Sequence, residues 1–388
     1  MRADLVERVR RRLAVQGADV SAAAVADAVR AEAGGVAGHG DVLEAVRRLR
    51  QELVGLGPLE ELIADEAVTD VLVTAPDQVW VDGAEGLRRT RIRFADESAV
   101  RRLAQRLALA AGRRLDDAQP YVDGWLPGVG PHGRVRLHAV LPPVAADGTC
   151  IALRVLRQAT FDLQQLHRSG AFDAETARVL EAIVSARLAF LVSGGTGAGK
   201  STLLGALLGV VPARERVVCV EDAQELAPRH PQFVRLVSRP PNIEGAGEIT
   251  LHDLVRQALR MRPDRLVVGE VRGGEVVPML NALNTGHEGG AATVHANAPA
   301  EVPARLEGLA ALGGLSREGL HSQLAAAVHV VLHMRRQDGG VRALTEIGVL
   351  HRETTLVRVL PVWQRGTWTE HADRFAELFR ARGVQPPC

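Results

Sequence analysis

The spacing of apolar and polar residues divides this chain into regions with different predicted structure. Residues 1–55 place Leu, Val and Ala among Arg and Glu at helical spacing, with a cluster of glycines between 34 and 40. This pattern predicts two or three short amphipathic helices. They could form a solvated tail or a surface that docks on a partner, and the pattern does not separate the two.

Short strands are predicted across residues 56–157. Alternating or β-branched runs, set apart by proline and glycine, occupy 70–74, 79–82, 90–94, 134–141 and 150–156. Between them, 96–112 begins with acidic residues and ends at a glycine, which predicts a helix. We expect a small α/β domain with an antiparallel sheet.

Strands and helices alternate after a predicted linker at 158–172. Apolar runs that predict strands lie at 188–193, 217–220, 265–269 and 291–295. Segments that predict helices lie at 173–185, 200–211, 251–261 and 274–283. This alternation predicts a mostly parallel sheet covered by helices on both faces, so we expect residues 173–388 to form a second domain of the α/β class.

Composition narrows the classes of function that fit. The 388 residues carry a formal net charge of +1, which gives no general attraction for nucleic acid or anionic lipid. Aromatic residues make up 3%, too few for a channel that stacks single-stranded bases. The charged start MRADLVERVRRR has no apolar signal segment, and no apolar run approaches the roughly 18 residues of a membrane span. We therefore expect a cytoplasmic protein.

The clearest chemical motif is GGTGAGKS at 194–201, which matches the pattern G-x-x-x-x-G-K-[ST]. It follows one predicted strand and opens one predicted helix, the context that this phosphate-binding loop requires. Backbone N–H groups would converge on phosphate oxygens, Lys200 would reach the β- and γ-phosphates, and the hydroxyl of Ser201 would bind Mg²⁺. The alternative is a glycine-rich turn without a ligand.

Lys200 is the only lysine in the chain, and every other basic residue except histidine is arginine. A compact ammonium fits between phosphates better than a planar guanidinium does, so its survival at this position supports the phosphate loop. The residues predicted to bind the nucleotide through this loop are Gly194, Gly195, Thr196, Gly197, Ala198, Gly199, Lys200, Ser201 and Thr202.

A phosphate loop alone binds without hydrolysing, so a group that positions water is also needed. Glu270 follows the apolar run 265–269, where the carboxyl ends of parallel strands meet a ligand crevice. We predict that Glu270 is the general base or orients the attacking water. The alternative is a strand-end glutamate in a surface ion pair.

A second acidic cluster, Glu221, Asp222 and Glu225, follows the run 217–220 in the same way. Carboxylates at a strand end suit coordination of Mg²⁺ through water, and we predict that role for Glu221 and Asp222. Glu225 is predicted to belong to the same catalytic acidic group. The alternative is an acidic cap at a helix N-terminus.

Two histidines lie close together in the sequence, His287 on a glycine-rich turn and His295 at the end of the run 291–295. No cysteine or further histidine lies nearby to complete a tetrahedral metal site. We predict that both sense the γ-phosphate, with His295 part of the nucleotide-binding set. The alternative for each is a histidine that is hydrogen-bonded within the core.

Four ordered segments resemble the type II/type IV secretion ATPase superfamily. They are the loop 194–202, the acidic box VEDAQEL at 220–226, the segment 239–275 and the histidine box LNTGHEGGAATVHAN at 283–297. The similarity runs from about residue 45 to 350 and is greatest to the branch that assembles Flp (tight-adherence) pili. The four-cysteine zinc module typical of type II secretion ATPases is missing, since the three cysteines form no such group.

The resemblance implies a hexameric ring of identical subunits that binds ATP and Mg²⁺. Each subunit would have a PAS-like N-terminal domain at 56–157 and a RecA-like domain at 173–388. The resemblance also implies that Arg136 and Arg154 offset charge on the transferring phosphoryl group. In a chain so rich in arginine, either could instead be an ordinary exposed strand residue. The implied partner is an inner-membrane platform protein, which would place the chain at the inner face of the cell membrane.

Three functions fit these motifs. The first is a motor that couples ATP hydrolysis to domain motion in the assembly of a Flp-type pilus or a secretion system. The second is a DNA-translocating ATPase of conjugation or competence, against which the near-neutral charge and the scarcity of aromatics count. The third is a scaffold that binds ATP with negligible turnover, against which Glu270 counts.

Overall fold

The computed structural model describes residues 55–83, 85–129, 134–155, 161–242, 244–337 and 340–387, together with a few positions between 8 and 32. The helices predicted in 1–55 lie almost entirely outside these ranges. The chain divides into two compact units, Met1–Arg157 and Gln158–Cys388. Each unit is described by itself, and each has the predicted mixture of helices and strands, so the α/β class is confirmed.

The first unit contains a six-stranded sheet in the order β3-β2-β1-β6-β5-β4, and its described pairings are antiparallel. Its strands are β1 Val68–Ala75, β2 Gln78–Gly83, β3 Arg88–Arg89, β4 Tyr121–Pro127, β5 Arg134–Val140 and β6 Cys150–Val155. Its described helices are α1 Glu60–Ala64, which follows a 3-10 turn at Gly57–Leu59, and α2 Glu97–Ala110.

Helix α2 covers one face of this sheet. Asp96 caps its first turn by accepting a hydrogen bond from the amide of Ala99, as the acidic start of the segment predicts. Val100, Leu103 and Leu107 are buried at helical spacing and belong to one core with the inward residues of the strands. Buried and less buried residues alternate along β6, and its Arg154 contacts Asp70 of β1 on the opposite face of the sheet.

Two strands of this unit differ from the sequence prediction. Residues 90–94 form no strand, because Thr90 turns the chain by accepting the amide of Ile92 on its hydroxyl. From this part of the chain, only the two residues of β3, just before the turn, pair with β2. No strand is predicted at 121–127, where glycine and proline are frequent, yet β4 forms there with Val122 and Leu126 buried and Tyr121 and Asp123 exposed.

The second unit contains a nine-stranded sheet in the order β15-β14-β13-β12-β7-β11-β10-β8-β9. The six strands from β12 to β9 are parallel, and β13 to β15 extend the sheet in antiparallel pairs. Their bounds are β7 Phe190–Gly194, β8 Val217–Glu221, β9 Phe233–Val237, β10 Arg265–Val271, β11 Ala291–His295, β12 Val330–Arg336, β13 Arg342–Glu353, β14 Leu356–Gln364 and β15 Thr367–Trp368.

Helices cover both faces of this sheet. They are α3 Leu163–Arg168, α4 Ala174–Ser185, α5 Lys200–Gly209, α6 Leu251–Ala258, α7 Val276–Asn284, α8 Val302–Leu312, α9 Arg317–Ala327 and α10 Ala372–Arg380, with 3-10 turns at Leu259–Met261 and Pro299–Glu301. The adjacent residues Phe190 and Leu191 of β7 are buried in different cores, one on each side of the sheet. Helix α3 falls within the segment predicted as a linker, and its Leu163 and Leu166 are buried in the core that contains Phe190.

The carboxyl ends of four parallel strands meet at one edge of the sheet. Strand β11 pairs His295 with Gly194 at the end of β7, and β10 and β8 follow in the same direction. Two strands are longer than the sequence predicts, so that Glu221 is the last residue of β8 and Glu270 lies within β10. This edge therefore carries the loop, the acidic residues and one histidine together.

Candidate functional site

The loop between β7 and α5 has a backbone that favours glycine at several positions. Gly197 and Gly199 have φ angles of 70° and 94°, and Gly199 is the N-cap of α5. At Gly194, a Cβ would lie 2.3 Å from the carbonyl oxygen of Met334 in the neighbouring strand β12. The loop is therefore bent tightly over the sheet edge, and the N-terminus of α5 opens into it. Free N–H groups and the helix dipole at such a turn favour an anion.

Lys200 is the first residue of α5, and its side chain lies over the loop. Its ammonium donates hydrogen bonds to the carbonyl oxygens of Gly194 and Gly195 at 3.1 and 2.8 Å. Burial lowers its pKa, while the nearby carboxylates of Glu270 and Glu225 act in the opposite direction. A cation that is largely removed from water therefore stands at the centre of the loop.

Glu270 and His295 lie beside this ammonium, on strands β10 and β11. The Nε2 of His295 is 2.5 Å from Oε1 of Glu270, and its Nδ1 is 3.4 Å from the Nζ of Lys200. The other oxygen of Glu270 accepts a hydrogen bond from the Nε of Arg272 at 2.6 Å. The structure thus brings together Lys200, Glu270 and His295, three of the residues predicted for nucleotide binding and water activation, and places Arg272 beside Glu270.

The pKa of His295 lies below its usual value, chiefly because the ring is partly buried and then because Lys200 is adjacent. The imidazole is therefore neutral near pH 7. The ammonium of Lys200 lies 3.4 Å from Nδ1 and 3.5 Å from Nε2 of this ring, and Nε2 lies 2.5 Å from Oε1 of Glu270. The ring therefore stands between the ammonium and the carboxylate.

The acidic box contacts the loop through Ser201. The hydroxyl of Ser201 donates a hydrogen bond to Oε2 of Glu225 at 2.9 Å. Asp222 accepts one from the hydroxyl of Ser238 at 3.0 Å. A serine hydroxyl and two partly exposed carboxylates are oxygen ligands of the kind that Mg²⁺ prefers, together with water and phosphate oxygens. The residues present therefore fit this ion.

Glu221 has a different environment from the one that the sequence predicts. It is 2% exposed, and its Oε1 accepts the amides of Glu225 and Leu226 at 3.2 and 3.0 Å. Its Oε2 is 3.1 Å from the Nε of Arg235. Burial raises its pKa to about 7 in spite of these partners. One oxygen therefore faces the amides of the acidic box and the other faces Arg235 of β9, and this buried setting does not support the predicted water-mediated Mg²⁺ role.

His287 lies away from the loop, contrary to the prediction that it senses the γ-phosphate. It precedes β11, and its Nδ1 donates to the carbonyl oxygen of Pro263, which precedes β10, at 3.0 Å. Strands β10 and β11 both begin at the edge of the sheet where His287 lies, and they carry Glu270 and His295 at the opposite edge. The five residues of β11 span roughly 15 Å. The parallel direction of the strands separates two histidines that lie close in sequence.

Arg136 and Arg154 occupy neighbouring strands of the first unit and form a cross-strand pair. Arg136 binds both carboxylate oxygens of Asp123, with distances of 2.9 and 2.6 Å. Arg154 donates from Nε to Asp70 at 2.8 Å. Both arginines lie on the sheet face opposite α2, and each has a carboxylate partner in its own unit.

Two contacts near the loop were absent from the sequence prediction. Arg272 lies two residues after Glu270 in the same motif, and its position there is the signal that could have identified it. The Nδ1 of His333 on β12 is hydrogen-bonded to the hydroxyl of Ser193 at 2.9 Å, and Ser193 directly precedes the loop. The two residues are 140 positions apart, and only the pairing of β12 with β7 brings them together.

Two further observations concern the described part of the chain only. No group of three or more His, Cys, Asp or Glu side chains in it is arranged to hold a metal ion. No helix in it has the length and apolar character needed to cross a membrane.

Comparison with known proteins points to one family. The family model for the type II/IV secretion system protein matches residues 52–347. A putative conjugal transfer protein of Mycobacterium tuberculosis is 65% identical over 338 residues, which cover 87% of this chain and 94% of that protein. The type IV secretion system protein VirB11 of Bartonella quintana is 25% identical over 336 residues, or 76% of this chain and 92% of the relative.

Solved structures support the fold. The crystal structure of the pilus retraction motor PilT with bound ADP aligns with a TM-score of 0.54 and 23% identity, and covers 77% of this chain and 83% of that chain. At this identity the alignment supports the fold alone. The fold of about three quarters of this chain is therefore shared with a known structure.

Proposed function

This chain belongs to the type II/IV secretion system protein family, and from that premise we propose that it is an ATPase that drives a secretion, conjugal transfer or pilus system. The finer proposal is a motor of Flp-type pilus assembly, in which a homo-hexameric ring couples ATP hydrolysis to movement of its domains. The relatives named above, a putative conjugal transfer protein and a type IV secretion system protein, support the broader statement. The four sequence segments that resemble the Flp-pilus branch support the finer proposal of a pilus motor.

One observation carries the proposal. The ammonium of Lys200 lies on the glycine loop, within hydrogen-bonding distance of His295, which in turn contacts Glu270. A cation for phosphate oxygens and a carboxylate for water are thus brought together at the carboxyl edge of a parallel sheet. This edge is where α/β sheets bind their ligands.

The residues then have defined roles. The loop amides and Lys200 hold the β- and γ-phosphates, with the ammonium moving from the carbonyl oxygens of Gly194 and Gly195 to the phosphate. The carboxylate of Glu270 accepts a proton from the water whose oxygen attacks the γ-phosphorus, and the bond to the leaving ADP oxygen breaks. Mg²⁺, when bound near Ser201, offsets charge on the phosphate oxygens. Ser201, Asp222 and Glu225 are the residues that would hold this ion, directly or through water.

Two parts of the proposal extend beyond this site. The ring would dock on an inner-membrane platform protein at the cytoplasmic face of the membrane. Arg136 and Arg154 would offset charge on the transferring phosphoryl group, which requires each guanidinium to leave the carboxylate that it now contacts. Exposed ion pairs of this kind contribute only about 0–1 kcal/mol, so the exchange is energetically accessible. The role of the two arginines stays a prediction.

The direct test is phosphate release and nucleotide binding by the full chain with Lys200→Ala and Lys200→Arg. Both variants are expected to bind ATP weakly and to lose turnover, the second because a planar guanidinium fits poorly between phosphates. Arg358→Ala, which breaks an exposed ion pair with Glu353, is the matched control for a lost positive charge. Parental binding and turnover in both lysine variants would overturn the phosphate-loop assignment.

The DNA-translocating alternative has its own test. Turnover is measured with and without single- and double-stranded DNA across a salt series. The net charge of +1 leads us to expect no stimulation. Strong stimulation that falls steeply with salt would favour the DNA function over the pilus motor.

A further inference from the structure

Two polar side chains, Ser193 and His333, are buried side by side at the point where β7 meets the glycine loop. They stand opposite each other in the pairing of β7 with β12, and 0% and 5% of their surface is exposed. Apart from Gly194 at its end, the rest of β7 is apolar, and so is the rest of the buried part of β12. Because strands of a parallel sheet that is covered on both faces usually carry apolar residues, this pair stands out.

The two side chains satisfy each other. The Nδ1 of His333 is hydrogen-bonded to the hydroxyl of Ser193 at 2.9 Å. Burial lowers the pKa of His333, and the nearby Arg335 acts in the same direction, so the ring is neutral near pH 7. A neutral buried ring supplies hydrogen bonds and no charge for a phosphate. Its effect on the nucleotide site must therefore act through the position of the groups that it holds.

The ring of His333 lies on the face of the sheet opposite α5. Its neighbours Leu332 and Met334 belong to the core that α5 covers, whereas Val331 belongs to the core on the other face. Since side chains alternate along a strand, His333 points to the same face as Val331. The start of the loop is therefore held from two sides, by α5 on one face and by His333 on the other.

The residue that follows Ser193 is a central contact of the site. Gly194 pairs with His295 at the end of β11. Its carbonyl oxygen accepts a hydrogen bond from the ammonium of Lys200 at 3.1 Å. A shift of Ser193 along or away from β12 would therefore move the carbonyl group on which the ammonium rests.

The same ring reaches the segment that follows β11. It interacts with the backbone of Asn297, which lies two residues after His295. The amide of Asn297 donates a hydrogen bond to Oε2 of Glu301 at 3.2 Å, and Glu301 directly precedes α8. His333 thus connects the strand that carries the loop with the chain that leaves the strand of His295.

We propose that His333 is a positioning residue of the nucleotide site: its hydrogen bond to Ser193 keeps the glycine loop in register with the end of β11, and so keeps Lys200 at the separation from Glu270 that turnover requires. The inference rests on the proposed function, because it takes ATP hydrolysis at the loop as the reaction. It assigns a role to a residue of β12 that belongs to none of the chemical motifs.

The test measures kcat, KM and ATP affinity for the full chain and its variants. His333→Leu removes the hydrogen bond and should lower kcat by about 10- to 10²-fold, because a displacement of about 1 Å at a reacting group can cost that much. KM and ATP affinity should stay within about threefold of the parent, since the loop amides and the ammonium remain. His333→Asn, whose amide can donate or accept near the place of Nδ1, should recover most of the lost kcat.

Ser193→Ala removes the other half of the same hydrogen bond. It should lower kcat as His333→Leu does, and the double variant should lose no more than either single variant, because both changes remove one interaction. If His333→Leu does not fold, Ser193→Ala decides the question by itself. Parental kcat in Ser193→Ala would overturn the proposal.

His321→Leu is the matched control for the loss of a buried histidine. His321 on α9 is 2% exposed and is hydrogen-bonded to Glu307 and to the amide of Val357. Its kcat should stay within about threefold of the parent, because the site is distant. An equal loss of kcat in His321→Leu, or a parallel loss of ATP affinity and kcat in His333→Leu, would show that His333 only stabilises the fold. A parent chain that does not hydrolyse ATP would instead overturn the proposed function itself.

Discussion

The imidazole of His295 joins Lys200 to Glu270: its Nε2 is 2.5 Å from the carboxylate, and its Nδ1 is 3.4 Å from the ammonium. The three groups come from α5, β10 and β11, which meet only because parallel strands end at one edge of the sheet. Arg272 holds the second carboxylate oxygen of Glu270. Arg272 therefore orients one oxygen of Glu270, whereas Oε1, beside His295, has no hydrogen-bond partner among the described residues.

Replacing Glu270 with glutamine tests its role as the base. Glu270→Gln keeps the shape and the hydrogen-bonding atoms near His295 and removes the acceptor of the proton. We expect nucleotide binding close to the parent and a loss of turnover of about 10²- to 10⁴-fold. Phosphate release and nucleotide affinity, measured on the same preparation, separate the two effects. A variant that hydrolyses ATP at the parental rate would exclude Glu270 as the base.

The two histidines of the histidine box should behave differently. His295→Gln removes the ring between Lys200 and Glu270 and should lower turnover by about 10- to 10²-fold, because a reacting group that is displaced by 1 Å can cost that much. His287→Gln is the matched control, since His287 contacts the carbonyl oxygen of Pro263 at the other edge of the sheet. Its turnover should stay within about threefold of the parent. Equal losses in the two variants would contradict the placement of His287.

Ser201 should matter only when magnesium is present. Its hydroxyl donates to Glu225, so the two side chains form one oxygen-rich group beside the loop. In Ser201→Ala, we expect weaker binding of ATP with Mg²⁺ and unchanged binding of ATP in the presence of a chelator, because only the first uses the hydroxyl as a ligand. Titration under both conditions checks this. A similar loss with and without Mg²⁺ would indicate a damaged loop rather than a missing ligand.

Much of this site could be predicted because its residues follow buried strands directly. Lys200, Ser201 and Glu270 each stand in a local motif, and strand–helix alternation places such motifs at one sheet edge. The direction of the predicted strand β11 is enough to place the two histidines at opposite edges of the sheet. His295 ends this strand and His287 precedes it, so they cannot share an edge of a parallel sheet.

The remainder of the site depends on contacts that the local sequence does not encode. The pair Ser193 and His333 forms through the register of β7 and β12. Glu221 looks in sequence like its neighbours Asp222 and Glu225, but the chain folds back so that two amides and Arg235 surround it. A cluster of acidic residues at a strand end therefore predicts a site, but the sequence does not reveal which of their carboxylates faces that site.

The buried carboxyl of Glu221 should make stability depend on pH. Its pKa rises from an ordinary value of 4.5 to about 7 in the folded chain, because burial penalises the charged form. Between these values the folded state keeps a proton that the unfolded state releases. The contribution of Glu221 to the free energy of unfolding is thus fully present below the unfolded pKa and is lost as the pH rises through about 7. The loss amounts to at most about 3 kcal/mol.

Glu221→Gln should remove this dependence, because the amide resembles the protonated carboxyl and does not titrate. The free energy of unfolding of the variant, relative to the parent, is expected to rise between about pH 5 and 8. Urea unfolding of both proteins across this range measures the difference, in which the contributions of other titrating groups cancel. Glu244→Gln, at an exposed loop position, controls for the loss of one negative charge. A difference between variant and parent that stays constant with pH would contradict the raised pKa, and with it the view that Glu221 acts inside the acidic box.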